Sequence, residues 1–287
     1  MSKNDGKIVK SMAGKIGRRE FVKKSALIGA SSAAAFTLAG RIAPVEALAV
    51  ETPELDRMKV KCLKVGFTNC FIIPCDGGYM QIDVGYPNHY KKYLKGLDKL
   101  GIDISEIKYL LLTHHHDDHV GFAAELVENC GAKIIVHEKA LEPLARGVSE
   151  EDIHPINGCV KLIFLIFSSF HKFVFPPVVT SPEDFIVVGD DGELLRKIGV
   201  DADILYTPGH TDDSISVVMK NDSGDEIAFA GDVAMDLFNF CCCKHRPIFV
   251  KDIEEVYRSW DRFRERDVKT IYPAHGDPFP TEKLVRV

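Results

Sequence analysis

The sequence is short of several things, and each shortage removes a class of protein. No apolar run reaches the roughly 20 residues a helix needs to span a bilayer without interruption; the longest candidate, Cys159–Phe175, is broken by Lys161, His171 and Lys172. Among eight cysteines there is no Cys-x-x-Cys pair, so a zinc ribbon is not expected and no spacing dictates a disulfide pairing. Positive charge is in deficit, with 36 Lys and Arg against 42 Asp and Glu and a formal net charge of −6. The first 49 residues hold nine of the basic and three of the acidic side chains, which leaves 27 against 39, or about −12, for the rest. A body this acidic repels polyphosphate backbones, so nucleic acid is not an expected partner. No internal repeat is evident, and 287 residues suit one large domain.

The N-terminal segment reads as an address. Gly17-Arg18-Arg19-Glu20-Phe21-Val22-Lys23 resembles the twin-arginine export motif, without the usual Ser or Thr at its start. Ser25–Gly40 is a small, moderately apolar stretch, and Ala47-Leu48-Ala49 offers a small-x-small cleavage site. Residues 1–49 are therefore expected to be a signal handled by the twin-arginine export machinery, and 50–287 the exported domain on the periplasmic or extracellular side. The alternative is an uncleaved segment that anchors the protein to the membrane.

The chain is organised around Thr113-His114-His115-His116-Asp117-Asp118-His119. The apolar run Ile107–Leu112 before it reads as a buried strand, and Val120–Val127 after it opens like a helix. Imidazole and carboxylate are ligands for zinc, iron or manganese. On an extended backbone, His114 and His116 point to the same side and can converge on one ion. Asp118 and His119, past the turn, can reach a second, while His115 and Asp117 should point elsewhere. Three more ligand-type residues follow β-like runs: His210 after Ile204-Leu205-Tyr206, Asp232 after Ile227-Ala228-Phe229, and His275 after Thr270-Ile271-Tyr272.

With these residues the chain resembles the metallo-β-lactamase fold superfamily over roughly Val60–Pro280. Its signature is His-x-His-x-Asp-His followed by separate His, Asp and His ligands. The resemblance implies an α/β protein, a four-layer α/β/β/α sandwich with metals at one sheet edge. It implies that His114, His116 and His210 bind one divalent metal ion, that Asp118, His119 and His275 bind another, and that Asp232 bridges them. Zinc is the expected ion, with iron or manganese as alternatives. His116, rather than Glu, sets the chain apart from the flavodiiron branch, and Asp232 sets it apart from the true zinc β-lactamases, which carry cysteine there. The closer likeness is to glyoxalase II, lactonases and related esterases.

Two divalent ions about 3.5–4 Å apart can share one water and bring its pKa toward neutrality. The implied activity is hydrolysis of an ester, thioester, lactone or similar bond, with Asp118 and Asp232 as the catalytic carboxylates orienting that hydroxide. Met235 stands where lactonases of this superfamily place a tyrosine. Only 12 residues follow His275, so the helical glutathione-binding domain of glyoxalase II is not expected. Tyr206, Tyr257 and Tyr272 are candidate phenolic proton donors. The alternative is a mononuclear iron oxygenase of the persulfide dioxygenase type, which resembles the same ligand pattern.

The remaining sequence carries fewer signals. Asp83, in Ile82-Asp83-Val84-Gly85, matches a position beneath the metals from which it would orient a ligand histidine. His89–Leu100 reads as a helix on the outer face of the first sheet, ending at Gly101, with His89 at the surface; His137 is structural. Asp184–Val188 and Glu193–Leu195 read as a hairpin, and Asp252–Arg266 as an amphipathic helix with Ile253, Val256, Trp260 and Phe263 inward. Cys241-Cys242-Cys243, beside His245, suggests a second metal or redox site or simply buried packing. The apolar insertion near 147–182 has three readings. It is a lid or pocket wall suited to an apolar or acyl-bearing small-molecule substrate, a contact between two copies in a homodimer, or a pair of core strands.

Overall fold

Alternation along single strands separates the layers. In β3, Thr68–Cys75, the side chains of Phe71 and Ile73 enter one core while Cys70 and Ile72 enter another. In β5, Ile107–Leu111, Leu110 and Leu111 divide in the same way. Period-two alternation with both faces apolar means a sheet covered on both sides. The computed structural model describes residues 47–50, 52–149, 152–169, 171–237 and 243–287. The Arg18-Arg19 motif and residues 1–46 of the signal segment, and Cys241 and Cys242 of the cysteine triplet, lie outside them.

The first sheet has seven strands in the order β1-β2-β3-β4-β5-β6-β8. They are β1 (Leu48–Val50), β2 (Lys61–Val65), β3, β4 (Gly78–Ile82), β5, β6 (Lys133–His137) and β8 (Phe185–Val187). β1 through β4 run antiparallel, and β4, β5, β6 and β8 are parallel neighbours. Residues 48 and 49 thus take part in a folded edge strand, and the Ala47 methyl is buried against Leu63 and Gly96. The second sheet has five strands in the order β14-β13-β11-β10-β9. They are β9 (Ala202–Tyr206), β10 (Ile215–Lys220), β11 (Glu226–Phe229), β13 (Val268–Tyr272) and β14 (Phe279–Pro280).

Three apolar cores make four layers. Between the sheets lie Phe71, Ile73, Ile82, Leu111, Ile204, Val217, Phe229 and Tyr272. Helix α1 (Pro53–Arg57) adds Leu55 to the core between the sheets, and helix α2 (Tyr90–Leu100) lays Tyr93 and Leu97 on the outer face of the first sheet, beside Leu126 of α4 (Ala123–Cys130) and Leu144 of α5 (Leu141–Arg146). Helix α8 (Ile253–Glu265) covers the second sheet with Val256, Trp260 and Phe263. Its N-terminus is fixed by Asp252, whose carboxylate accepts the Glu254 and Glu255 amides at 2.8 and 3.2 Å. The fold is the expected α/β/β/α sandwich.

Several local expectations are overturned. The insertion does not contain two core strands: Gly158–Phe167 is a helix, α6. Asn157 caps it by accepting the Val160 amide at 3.0 Å. Helical spacing turns Val160, Ile163 and Phe164 toward Cys243 and Phe249, and leaves Leu162, Leu165 and Ile166 exposed. A short two-stranded sheet, β7 (His154–Pro155) with β12 (Phe249–Val250), ties the segment before α6 to the segment before α8. The expected hairpin at 184–195 is absent as well. β8 pairs in parallel with β6, and Leu194–Lys197 is the helix α7. Asp191 sets that helix by accepting the Glu193 and Leu194 amides at 2.8 and 2.7 Å. His89 is buried, not superficial.

Candidate metal centre

All seven predicted ligand residues leave the C-terminal ends of strands at the edge shared by the two sheets. His114, His116, Asp118 and His119 follow β5, and the last two open the short helix α3 (Asp117–Val120). His210 follows β9, Asp232 follows β11 and His275 follows β13. Backbone hydrogen bonds lace these exits together: Ile215 N–H to the Thr113 carbonyl at 2.9 Å, Ala274 N–H to Gly231 at 3.0 Å and Asn69 N–H to Ala274 at 2.7 Å. Gly231, at φ +54°, lets the β11 exit approach the β5 exit, since a Cβ there would stand 2.9 Å from the Thr113 side chain.

The ligand atoms converge. His210 Nε2 lies 3.0 Å from His116 Nδ1, and His114, His116 and His210 form one compact triad of ring nitrogens. Asp118, His119 and His275 form another, with His275 Nε2 3.1 Å from Asp118 Oδ2 and 3.3 Å from His119 Nε2. Asp232 stands between them. Its Oδ1 is 3.3 Å from His119 Nε2 and 3.4 Å from His275 Nε2, and its Oδ2 is 3.6 Å from His210 Nε2.

The far sides of the rings are pinned. His210 Nδ1–H donates to the Phe249 carbonyl at 2.7 Å, and His275 Nδ1–H donates to the Phe67 carbonyl at 2.9 Å. His119 Nδ1–H donates to Asp83 Oδ2 at 2.8 Å. His114 Nδ1 faces Thr113 Oγ1 at 3.1 Å, and that hydroxyl donates to Asp83 Oδ2 at 2.7 Å. Asp83, at φ +54°, also accepts the Thr113 amide at 2.8 Å. Each bond puts the proton on Nδ1 and leaves the Nε2 lone pair facing the centre.

Charge follows from the same packing. Burial, with the neighbouring imidazoles, pushes His114 and His116 well below the usual histidine range, and burial lowers His210 as well. These three are kept neutral. For His275, burial pulls the other way, but Asp232 and Asp118 outweigh it and raise the ring to about 10; His119 rises for the same reason. Asp118 and Asp232, although buried, are held below the ordinary carboxylate range by His119 and His275. A cation fits this donor set. The Nε2 of His114 is buried with no hydrogen-bond partner, and the Nε2 atoms of His119 and His275 stand 3.3 Å apart, so without a shared cation two protonated rings face each other.

His115 and Asp117 turn away from the centre, as expected. His115 Nδ1 meets Asp213 Oδ1 at 2.9 Å, and Asp117 meets Ser149 and His171. The candidate phenols are engaged elsewhere. Tyr206 donates to the Asp212 carbonyl at 2.8 Å, Tyr257 to the Val287 carbonyl at 3.1 Å, and Tyr272 to Glu54. Met235 is buried, with its amide bonded to the His245 carbonyl at 3.0 Å. The phenol in the field of Asp118, Asp117 and Asp232 is Tyr86; burial and these carboxylates hold it well above the usual tyrosine range. Sequence reasoning missed it, although it stands three residues after Asp83. It also missed His171, which in the sequence is only an interruption of an apolar run.

Comparison with known proteins agrees with this geometry. The family model described as the metallo-beta-lactamase superfamily matches residues 63–275. The chain belongs to the metallo-beta-lactamase superfamily. Among its relatives in that superfamily, a metallo-beta-lactamase fold-containing protein of Sulfurisphaera tokodaii is 26% identical over 201 residues, 69% of this chain and 68% of the relative. A hydroxyacylglutathione hydrolase of Pelagibacter ubique is 26% identical over 217 residues, 75% of this chain and 69% of the relative. A solved subclass B3 metallo-beta-lactamase of Bradyrhizobium japonicum superposes with a TM-score of 0.57 at 18% identity, covering 80% of this chain and 79% of that one. That last likeness bears on the superfamily fold alone.

Proposed function

We propose that the protein is a metal-dependent hydrolase that holds two divalent ions, zinc in the first instance, and cleaves an ester, thioester or lactone bond. The observation that carries this reading is the placement of Asp232, with one carboxylate oxygen toward His119 and His275 and the other toward His210. His114, His116 and His210 would hold one ion, and Asp118, His119 and His275 the other. When bound, such a pair supplies Lewis acidity and an acidified water. The chain's own contribution is to fix geometry and charge. Asp83 and the carbonyls of Phe67 and Phe249 hold the imidazole tautomers, and Asp118 and Asp232 stay anionic to orient a nucleophilic water and balance the cations. Hydrolysis also accords with the hydroxyacylglutathione hydrolase among the relatives.

The reading includes export, which rests on Arg18-Arg19. The test is metal analysis of the purified protein, followed by a panel of ester, thioester, lactone and phosphodiester substrates. Turnover of one of the first three by protein carrying two zinc or manganese ions supports it. One ferrous ion with oxygen uptake would replace it by the mononuclear oxygenase reading.

A further inference from the structure

The Phe-rich insertion is fastened to the metal-binding turn through Asp117. His171, just past α6, has Nε2 2.7 Å from Asp117 Oδ2, and Asp117 immediately precedes Asp118. Asp117 is buried and doubly engaged by Ser149, whose hydroxyl accepts its amide at 2.9 Å and donates to its Oδ1 at 3.1 Å. Aromatic rings surround the His171 imidazole. Phe167 stacks on it at 4.6 Å, and Tyr86 and Phe173 meet it edge-on at 5.2 and 4.9 Å. Phe164 continues the row, 5.4 Å from Phe173 and 4.6 Å from Phe249. The Phe249 carbonyl, in turn, accepts the His210 Nδ1–H. A continuous row of rings therefore runs from the Asp118 side of the ligand set to its His210 side.

These six rings are not a closed core. Tyr86, Phe164, Phe167, His171, Phe173 and Phe249 are all half-buried, whereas the rings of the true cores, such as Phe229, Trp260 and Phe263, are fully buried. They leave part of each ring exposed along a row that begins at Tyr86 and at His171, which contacts Asp117, and ends at Phe249, whose carbonyl holds His210. Apolar surface continuous with a candidate reaction centre is where the unreactive part of a substrate binds.

We propose that this row is the acyl-binding wall of the site, that it selects substrates with an apolar acyl chain, and that His171 is the positioning residue that holds it against the metal-binding turn. The proposal rests on the hydrolase reading for its reaction, but not for its binding. A methylene buried on all sides gains about 0.8 kcal/mol, close to fourfold in affinity. A wall covers one side, so about twofold per methylene is expected, or roughly tenfold or more between a butyryl and an octanoyl ester.

The test uses the metal-loaded protein and its His171→Ala, His171→Gln and Phe173→Ala variants. kcat/KM is measured on p-nitrophenyl acetate, butyrate and octanoate, octanoate ion binding is followed by calorimetry, and metal content is assayed alongside. Wild-type protein should favour the octanoyl ester. In His171→Ala the octanoyl-to-acetyl ratio should fall about tenfold through KM, with metal content as in wild type. His171→Gln, which still donates to Asp117, should restore most of the preference, and Phe173→Ala, which removes a ring without touching the fastening, should lower it. An octanoyl-to-acetyl ratio that is flat in wild type, or unchanged in both His171→Ala and Phe173→Ala, overturns the wall. Octanoate binding that depends on His171 in a protein that hydrolyses no ester would sustain the wall while removing the hydrolase reading. Ester hydrolysis without chain-length preference would do the reverse.

Discussion

Replacing Asp83 by Asn tests the inner scaffold of the metal centre with the smallest change of shape. Asp83 accepts three buried hydrogen bonds, from the Thr113 amide at 2.8 Å, the Thr113 hydroxyl at 2.7 Å and His119 Nδ1–H at 2.8 Å. An asparagine can keep the first through its carbonyl oxygen, and it tolerates the φ of +54°. Its amide group must then face two donors. His119 can respond only by moving its proton to Nε2, which removes the lone pair aimed at the centre. Loss of such a supporting partner weakens metal binding about 10–100-fold, which is about 1.4–2.8 kcal/mol. The broken charge-assisted hydrogen bonds should also cost roughly 1.5–3 kcal/mol of folding stability, or about 3–10 °C in Tm for a domain of this size. Asp83→Ala should be worse, because it orphans all three donors and adds about 1–2 kcal/mol of left-handed backbone strain. The assay is chelator competition with metal content read by mass spectrometry, alongside thermal melts. Asp83→Asn that holds both ions with wild-type affinity would refute the reasoning.

Three further outcomes are expected. His89 is buried and pushed down to about 4, chiefly by desolvation. The unfolded chain then binds the extra proton first, so stability should fall as pH drops from about 6.5 toward 4, by on the order of 2 kcal/mol. His89→Phe should flatten that stretch of a Tm-versus-pH curve, and an unchanged slope would discard the assignment. Trp260 is fully buried and donates to the Val233 carbonyl, beside Asp232, at 2.8 Å. Trp260→Phe should cost about 2–3 kcal/mol in urea denaturation, through the orphaned carbonyl and the smaller ring, and a loss below about 0.5 kcal/mol would contradict the packing described. Removal of metal by a chelator should abolish turnover yet leave the far-ultraviolet circular dichroism intact, since His119 and His275 can pair with Asp118 and Asp232. In that metal-free protein His275, raised to about 10, contributes stability below about pH 6.5 that is lost as pH rises through about 10. A metal-free Tm that climbs across that range would be the wrong sign.

The sequence was most legible where chemistry was local. Four ligand-type side chains on one turn after an apolar strand identify themselves by density, and Asp252 announces α8 through its position before the helical pattern. His210, Asp232 and His275 are single residues, picked out by their ligand chemistry at the ends of β-like runs and assigned their roles by the family pattern; their convergence depends on two sheets meeting at one edge. Asp83 could be assigned its place but not its three partners. The insertion was misread in part because an apolar run such as Val160–Phe167 fits a buried strand or a helix equally well. Asn157 before Gly158 was the available cue for a helix start. Tyr86 and His171 escaped altogether. They meet across 85 positions with no periodic signal, and His171 acquires meaning only through Asp117, 54 positions away.

The most direct measurement is the metal content per chain of the purified protein and of its Asp232→Ala variant, by inductively coupled plasma mass spectrometry. Two divalent ions per wild-type chain, falling to one or fewer in the variant with the fold retained, are the expected result. A single ion in both proteins, or a variant that still holds two, would contradict a paired centre spanned by Asp232.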